Sequence, residues 1–449
     1  MNYDYIIYGA GPTGLTLSFL LAKNNKKILL VEKDTHIGGC WKHTMINNKY
    51  FSEHSPRVLS TNYKLFIQLL KNINYDFHKN TVNIYGNYLQ TSYKILSFFI
   101  SQLSFSDIFT LIINFPFHSN LTVYEWFNKY NISNKGKKAL TIFSIAIANS
   151  PKKLLMNELY SVINNSSGNF VHFTNYNWIQ LLYNKLIQLD VHIITNANLQ
   201  TLVHNNNTIT HSVINNKIYT AHKHILTLPP IAFLQLLQTQ NTVIQNNWMD
   251  FSRFYKLILN SYYISFSFQL HFSQIIPFTN KWCWSCFNDY HIIILPVSQF
   301  LHTFTKDNNI KTVWSCTIVD TDYKVSKHNK TINQLSKNTI INDVLQLLNV
   351  KPDKITFYPG LQNINNKWIS KDSAFSLGKY GVIKSKGKID NLYTVGPHNI
   401  KGITTLEKAI YTATLFVQNE NLSFNLYQNN YYKYIIIPII IFILYKIFY

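Results

Sequence analysis

The chain opens on a short apolar run, Tyr5–Tyr8 (YIIY), then GAGPTG, then LTLSFLLAKN. This order predicts a strand, a tight turn and a helix through about Asn24; Lys27–Glu32 (KILLVE) predicts a second strand. Strand, helix and strand in that order open a doubly wound sheet. Leu65, Leu69 and Leu70 share one face of a helix predicted over Asn62–Ile73, and a second amphipathic helix is predicted over Tyr176–Gln188. Residues 93–116 are rich in Phe, Leu and Ile but interrupted by Gln102 and Asp107, which predicts buried helices rather than a membrane span. Short strands follow at 191–195, 199–203, 208–212, 216–220 and 224–230, then a helix begins at IAFLQLLQ. Residues 254–272 alternate apolar and polar, which predicts a sheet in a second domain. Strands at 291–295 and 310–319, a helix at 338–349, a strand at 391–396 and a helix at 404–418 complete the pattern.

The last stretch differs. Tyr434–Tyr445 (YIIIPIIIFILY) carries no charge, is bracketed by Lys433 and Lys446, and has tyrosines at both ends. A membrane-spanning helix needs roughly 17–25 apolar residues. Lysines reaching for the interface and interfacial tyrosines extend the short run. Pro438 is tolerated better in lipid than in a water-exposed helix. The expectation is a C-terminal anchor over 431–449, a single pass with the rest of the chain facing the cytosol. MNYDYIIYGAG lacks the basic start and cleavage site of a signal peptide.

At 449 residues, 47% hydrophobic and 14% charged, the composition is that of a globular chain able to bury a large core. The net charge of +21 favours anionic partners such as phosphate groups and acidic membrane surfaces. No basic block or zinc-finger pattern accompanies it, so no nucleic acid is expected. Among the four cysteines only Cys283 and Cys286 form a CxxC pair, inside WCWSCF. That reads as a buried strand, with no metal site and no disulfide framework, which fits a reducing compartment.

Gly9, Gly11 and Gly14 form GxGxxG between a strand and a helix, the setting a dinucleotide-binding fingerprint requires. Gly9 permits the turn, Gly11 admits a pyrophosphate to the backbone, and Gly14 lets helix and strand pack closely. Pro12 and Thr13 complete that loop, and the helix start faces the phosphates. Glu32, eighteen residues after Gly14, suits the hydroxyls of an unphosphorylated ribose and disfavours a 2′-phosphate. Only 14 glycines occur in the chain, and five of them stand at 9, 11, 14, 38 and 39.

Glu32 is followed by KDTHIGGCW, with Gly38 and Gly39 six and seven residues on. This segment resembles the FAD-dependent amine oxidase, phytoene desaturase and protoporphyrinogen oxidase superfamily. VEKDTHIGG is also similar to UDP-galactopyranose mutases, and GGCW, with Trp41, to the GGxW of flavin monooxygenases. HILTLPP resembles the strand after the adenine-side hairpin of amine oxidases, where Leu199 takes the adenine-packing position. NLYTVGPHNIKGITTLEKAIYTATLFV resembles the closing FAD motif through Gly396, Gly402, Thr404, Thr405 and Leu406. The resemblance implies a discontinuous Rossmann-like FAD domain over 1–60, 190–235 and 385–420. A mixed α+β substrate domain would span 61–189 and 236–384. It implies hydride transfer from a substrate C–H bond to flavin N5. The expected anchor and the aromatic-rich middle of the chain suggest an apolar or lipid-like small-molecule substrate. Two alternatives are a mutase-type isomerase and a non-catalytic flavin-binding membrane protein.

The chain departs from the family pattern in two places. Pro397 and His398 follow Gly396 where an acid is common, and YYISFSFQLHF, with Gln269 and His271, lacks the family's flavin-facing lysine. SEHSPRVLS falls where the family's chain turns in beside the flavin. Arg57, one of only two arginines, is a candidate flavin or anion ligand, because its planar fork makes paired bonds that lysine cannot. His54 is the candidate base, and Tyr380 a candidate pocket residue.

Overall fold

The computed structural model describes residues 2–42, 44–84, 101, 103–114, 120–159, 169–261, 265–277, 289–305, 307–370 and 381–423. Its first sheet is built from β1 (Asn2–Tyr8), β2 (Ile28–Val31), β3 (His192–Ile194), β4 (Leu199–Asn205), β5 (Thr208–Ile214) and β6 (Lys217–Leu226) in the order β3-β2-β1-β6-β5-β4, with the late strand Leu392–Thr394 beside β6. β3, β2, β1, the second half of β6 and the late strand are parallel. Tyr8 lies opposite Val31 and Leu226, Val31 opposite Ile194, and Leu226 opposite Thr394, so these strands all end along one edge. That edge is where an open α/β sheet binds its ligand.

Helix α1 (Pro12–Ala22) is buried from Thr13 to Ala22, closed in by the sheet and by two further helices, Trp178–Gln188 and Leu406–Asn419. The stretches 216–220 and 224–230, expected as separate strands, run together into the single strand β6, which stops at Leu226; 227–229 lie beyond it and Pro230 opens the next helix. Its polar middle stays extended because Lys217 to Tyr219 pair with β5 before Thr220 takes up β1.

The second sheet has β7 (Phe266–Phe272), β8 (Ile292–Leu295), β9 (Thr312–Ile318) and β10 (Lys354–Phe357) in the antiparallel order β8-β9-β7-β10. Alternation along β7 and β9 separates two faces. Phe266, Phe268, Leu270, Trp314, Cys316 and Ile318 join an apolar core with helix Lys337–Leu348. Ser267, Gln269, His271, Ser315 and Thr317 line the other face and are also buried. The expected sheet over 254–272 is corrected at its start: Phe251–Ser261 is helical, with Phe254 and Ile258 buried four residues apart, and the strand begins at Phe266.

A third unit is helical: α2 (Phe105–Asn114), α3 (Val123–Lys129) and α4 (Asn134–Ala146). The buried helices expected over 93–116 are corrected here. α2 leaves Phe105 71%, Phe109 58% and Ile113 45% exposed, while Asp107 is buried. Asp107 goes inside because Ser104, through its backbone N–H, and Ser133, through its own N–H and hydroxyl, donate to its carboxylate. Among the described residues no helix is long and apolar enough to cross a membrane. The predicted anchor 431–449, Cys283, Cys286 and Tyr380 lie outside the described residues.

Candidate active site

Along the carboxyl edge of the first sheet the two glycine loops press together. Gly9 has φ +105°, and a Cβ on Gly14 would stand 1.9 Å from the Gly9 carbonyl oxygen, so the helix start can pack there only without a side chain. Gly11 differs: a Cβ there would meet only Gly39 Cα, 4.0 Å away, which leaves room beside the backbone. Gly38, at φ +110°, donates to the Ala10 carbonyl at 2.8 Å and starts the short turn Gly39–Trp41. α1 begins at Gly11 and Pro12 with no side-chain cap and no acid in its first turn, so its positive end is open to an anion.

Glu32 accepts from the Ala10 amide at 2.7 Å and the Asp34 amide at 3.0 Å, one on each oxygen. Burial pushes its pKa up against those bonds. Each oxygen keeps acceptor capacity for a ribose hydroxyl. The Glu32 carbonyl accepts from Ala197, which brings the start of β4, with half-buried Leu199, to the same edge. Thr227 was not singled out by the sequence. Its hydroxyl donates to the Tyr8 carbonyl at 3.0 Å or the Gly9 carbonyl at 2.7 Å and ties the end of β6 to the glycine turn. Aligning strand ends is the signal that finds it.

The closing segment brings Gly396 to the same edge. Gly396 donates to Asn399 Oδ1 at 2.7 Å, and a Cβ on it would strike the His398 ring at 2.6 Å. His398 is buried with Nε2 at 2.7 Å from Thr394 Oγ1, and burial, with the Lys408 charge nearby, holds it neutral down to about 3. Gly402, at φ +107°, turns the chain into helix α5 (Leu406–Asn419), where Thr405 caps the Lys408 amide. Thr404 and Leu406 flank that cap. Glu407 and Lys408 were also missed. The Glu407 carboxylate accepts from the Leu65 and Phe66 amides, capping helix Lys64–Asn72, and burial raises it to about 7. Lys408 donates to the Gly402 carbonyl at 2.6 Å and is lowered to about 8 by burial.

SEHSPRVLS lies between the glycine loops and the polar face of the second sheet. Gln269 Nε2 donates to the Glu53 carbonyl at 2.8 Å, and the Thr356 hydroxyl donates to the Phe51 carbonyl at 3.0 Å. Arg57 is buried between the faces of Trp41 and Tyr176, with Cζ 5.6 Å and 4.9 Å from their ring centroids. Its Nη1 donates to the Trp41 carbonyl at 3.3 Å and its Nη2 to the Lys42 carbonyl at 3.0 Å. Its Nε stands 3.3 Å from Glu53 Oε2. The arginine therefore clamps the Gly38–Lys42 loop onto this segment. Glu53 is 0% exposed, and neither its oxygens nor the nearby Ser315 hydroxyl makes a well-formed hydrogen bond. Burial pushes Glu53 up to about 7 against the pull of Arg57. His54 packs edge-on to Tyr358, its Nδ1 has no partner, and burial with the Arg57 charge lowers it to about 3. A neutral imidazole of that kind can exchange hydrogen bonds but takes up a proton poorly. His271 pairs through Nε2 with Thr356 Oγ1 at 3.0 Å. Glu53 was not among the candidate residues, since nothing local in the sequence marks a glutamate as buried.

Residues 7–73 match a family model described as an NAD(P)-binding Rossmann-like domain. An oxidoreductase from Methanosarcina mazei superposes with TM-score 0.62 at 14% identity, covering 93% of this chain and 100% of that one. Cyclohexylamine oxidase from Brevibacterium oxydans superposes with TM-score 0.62 at 10% identity, covering 94% and 100%. The chain has the fold of the amine oxidase-like oxidoreductases. Sequence similarity is narrower. The UDP-galactopyranose mutase of Mycoplasma genitalium is 37% identical over 71 residues, 15% of this chain and 18% of that protein. The aligned stretch thus spans less than a fifth of that relative's length.

Proposed function

We propose that this chain is an FAD-dependent oxidoreductase acting on a small, apolar or lipid-like substrate. The observation that carries the reading is the carboxyl edge of the first sheet, where the open start of α1, the unfilled space at Gly11 and the Glu32 carboxylate converge. Those residues fit a dinucleotide: amides of the α1 start for the diphosphate, Glu32 for the ribose hydroxyls, Leu199 for the adenine side. The start of α5, with Thr404, Thr405 and Leu406, would take the flavin end, where amides of a helix start favour negative charge. Bound FAD would supply a two-electron acceptor for a hydride from a substrate C–H bond. Arg57 holds the glycine loop. Neutral His54 orients rather than ionises. The anchor over 431–449, single-pass with the catalytic unit on the cytosolic side, and Tyr380 as a pocket residue belong to the same proposal.

The purified protein is expected to show an oxidised-flavin absorption spectrum that bleaches anaerobically with substrate. A colourless protein that binds only NAD overturns the reading. A second reading, a redox-neutral mutase acting on a nucleotide sugar, is favoured by the 37% identical segment. Redox-neutral turnover of a nucleotide sugar would select it. Bound flavin that no reductant or oxygen turns over would select a non-catalytic protein.

A further inference from the structure

The helical unit keeps a core of its own. Val123, Trp126, Leu140, Leu154 and their neighbours bury one another, and among the described residues no strand of either large sheet joins them. Two seams tie the unit to the rest of the molecule. At the first, Ile403, between Gly402 and Thr404, packs against that core. Buried Glu158 stands nearby: burial lowers Lys408, and the Glu158 charge pulls it back up. This seam therefore lies on the turn into α5.

At the second seam the chain leaving α4 meets the ends of β8 and β9. Ser150 donates to one Asp320 oxygen at 2.7 Å, and His291 Nδ1 stands 3.6 Å from the other. All three side chains are buried. Burial alone would raise Asp320, but His291 and Ser150 hold it below the ordinary carboxylate range. Beside this group Ile145 meets Ile293 and Val319, with Ala148 packed against them.

Backbone strain collects at the same seam. Every described non-glycine residue with positive φ is Asn or Asp except two, Ala148 at +56° and His291 at +46°. Histidine visits this region more readily than alanine, whose Cβ crowds the next carbonyl. Ala148 ends α4: its amide donates to the Ile145 carbonyl and the Asn149 amide to the Ser144 carbonyl. Helix endings of that form favour glycine. The alanine methyl finds its use in the contact with Ile293 and Val319. Docking, rather than helix ending, accounts for the residue.

A unit with a separate core, held by one buried carboxylate and a strained joint, can come away as a body. We propose that the helical unit is a lid on the flavin end of the site. Pinned by Ser150 and Asp320, it covers the turn into α5; released, it uncovers that turn for FAD to enter and leave. The pin stands on the contacts themselves, whereas the admission of FAD rests on the function proposed for the site.

Hydrogen–deuterium exchange on the full-length apoprotein tests the pin. In Asp320→Asn and in Ser150→Ala, amides of α3 and α4 are expected to exchange severalfold faster, with β1 and α1 unchanged. The two changes act on one bond, so the double variant should be no faster than the faster single. Unchanged exchange in α3 and α4 overturns the lid. Equal acceleration in β1 overturns it too, as general loosening rather than release of one body. Mixing apoprotein with FAD tests the gate. Asp320→Asn is expected to speed both association and dissociation severalfold and leave the affinity nearly unchanged. Faster exchange with unaltered FAD rates overturns the gate. A protein that takes up no FAD overturns the proposed function instead, and the exchange result still decides the lid.

Discussion

The glycine edge and the SEHSPR segment lie side by side and treat a carboxylate in opposite ways. Glu32 has an amide on each oxygen and keeps room for a ligand. Glu53 is sealed from solvent, faces one guanidinium at 3.3 Å, and has no well-formed hydrogen bond. The first carboxylate is held by backbone, so the loop geometry stands before any ligand arrives. The second is held by one side chain, so its cost depends on Arg57. A buried charge left without its partner is far more costly than a pair removed together.

The glycine edge breaks most severely at Gly14. Gly14→Ala is expected to destabilise by more than about 3 kcal/mol, because its Cβ would lie 1.9 Å from backbone. Gly11→Ala should fold with a near-normal melting temperature yet lose flavin. Thermal melts with and without FAD check the pair.

The other side breaks at Arg57. Arg57→Ala is expected to cost about 3–5 kcal/mol in urea unfolding by stranding Glu53. The double change Glu53→Met/Arg57→Met should recover most of it. If the double variant is no better than the single, the loss came from the Trp41 and Lys42 carbonyls rather than from the stranded charge.

The pH dependence sharpens the contrast further. Buried His54, His172, His224, His271 and His398 are held down to about 3–4, chiefly by burial. The unfolded chain takes up protons near 6.5, so each costs about 1.4 kcal/mol per pH unit below that value. Glu53 and Glu407 run the other way. Raised to about 7 from 4.5, they stabilise fully below 4.5 and lose that contribution as pH rises through 7. With more histidines than such acids, the melting temperature is expected to fall from pH 7 to pH 5. Glu53→Gln should make that fall steeper. The smallest effect is at Thr405, where Thr405→Ala removes one cap and should cost about 1 kcal/mol.

The glycine edge was legible because its constraints are local. GxGxxG, the carboxylate at Glu32 and the paired glycines each declare a backbone requirement within a few residues. Arg57 was legible as an oddity of composition, but its partners, two carbonyls and two aromatic faces, come from chain segments that only the fold brings together. Thr227, Glu407 and Lys408 gave no local signal for the same reason. α2 was misjudged in polarity because Asp107 reads as an interruption until Ser133 is seen beside it. In β6, pairing partners kept polar residues extended where local pattern suggested a break.

That strand carries a consequence for synthesis. β1 is made first, yet its partner in β6 begins only at Thr220, and β6 in turn waits for Leu392 to Thr394. At ribosomal speeds β1 stands with an unpaired edge for roughly ten to forty seconds. The nascent chain therefore exposes an apolar strand long before it can close the sheet, and its yield in a cell should depend on what shields that edge meanwhile.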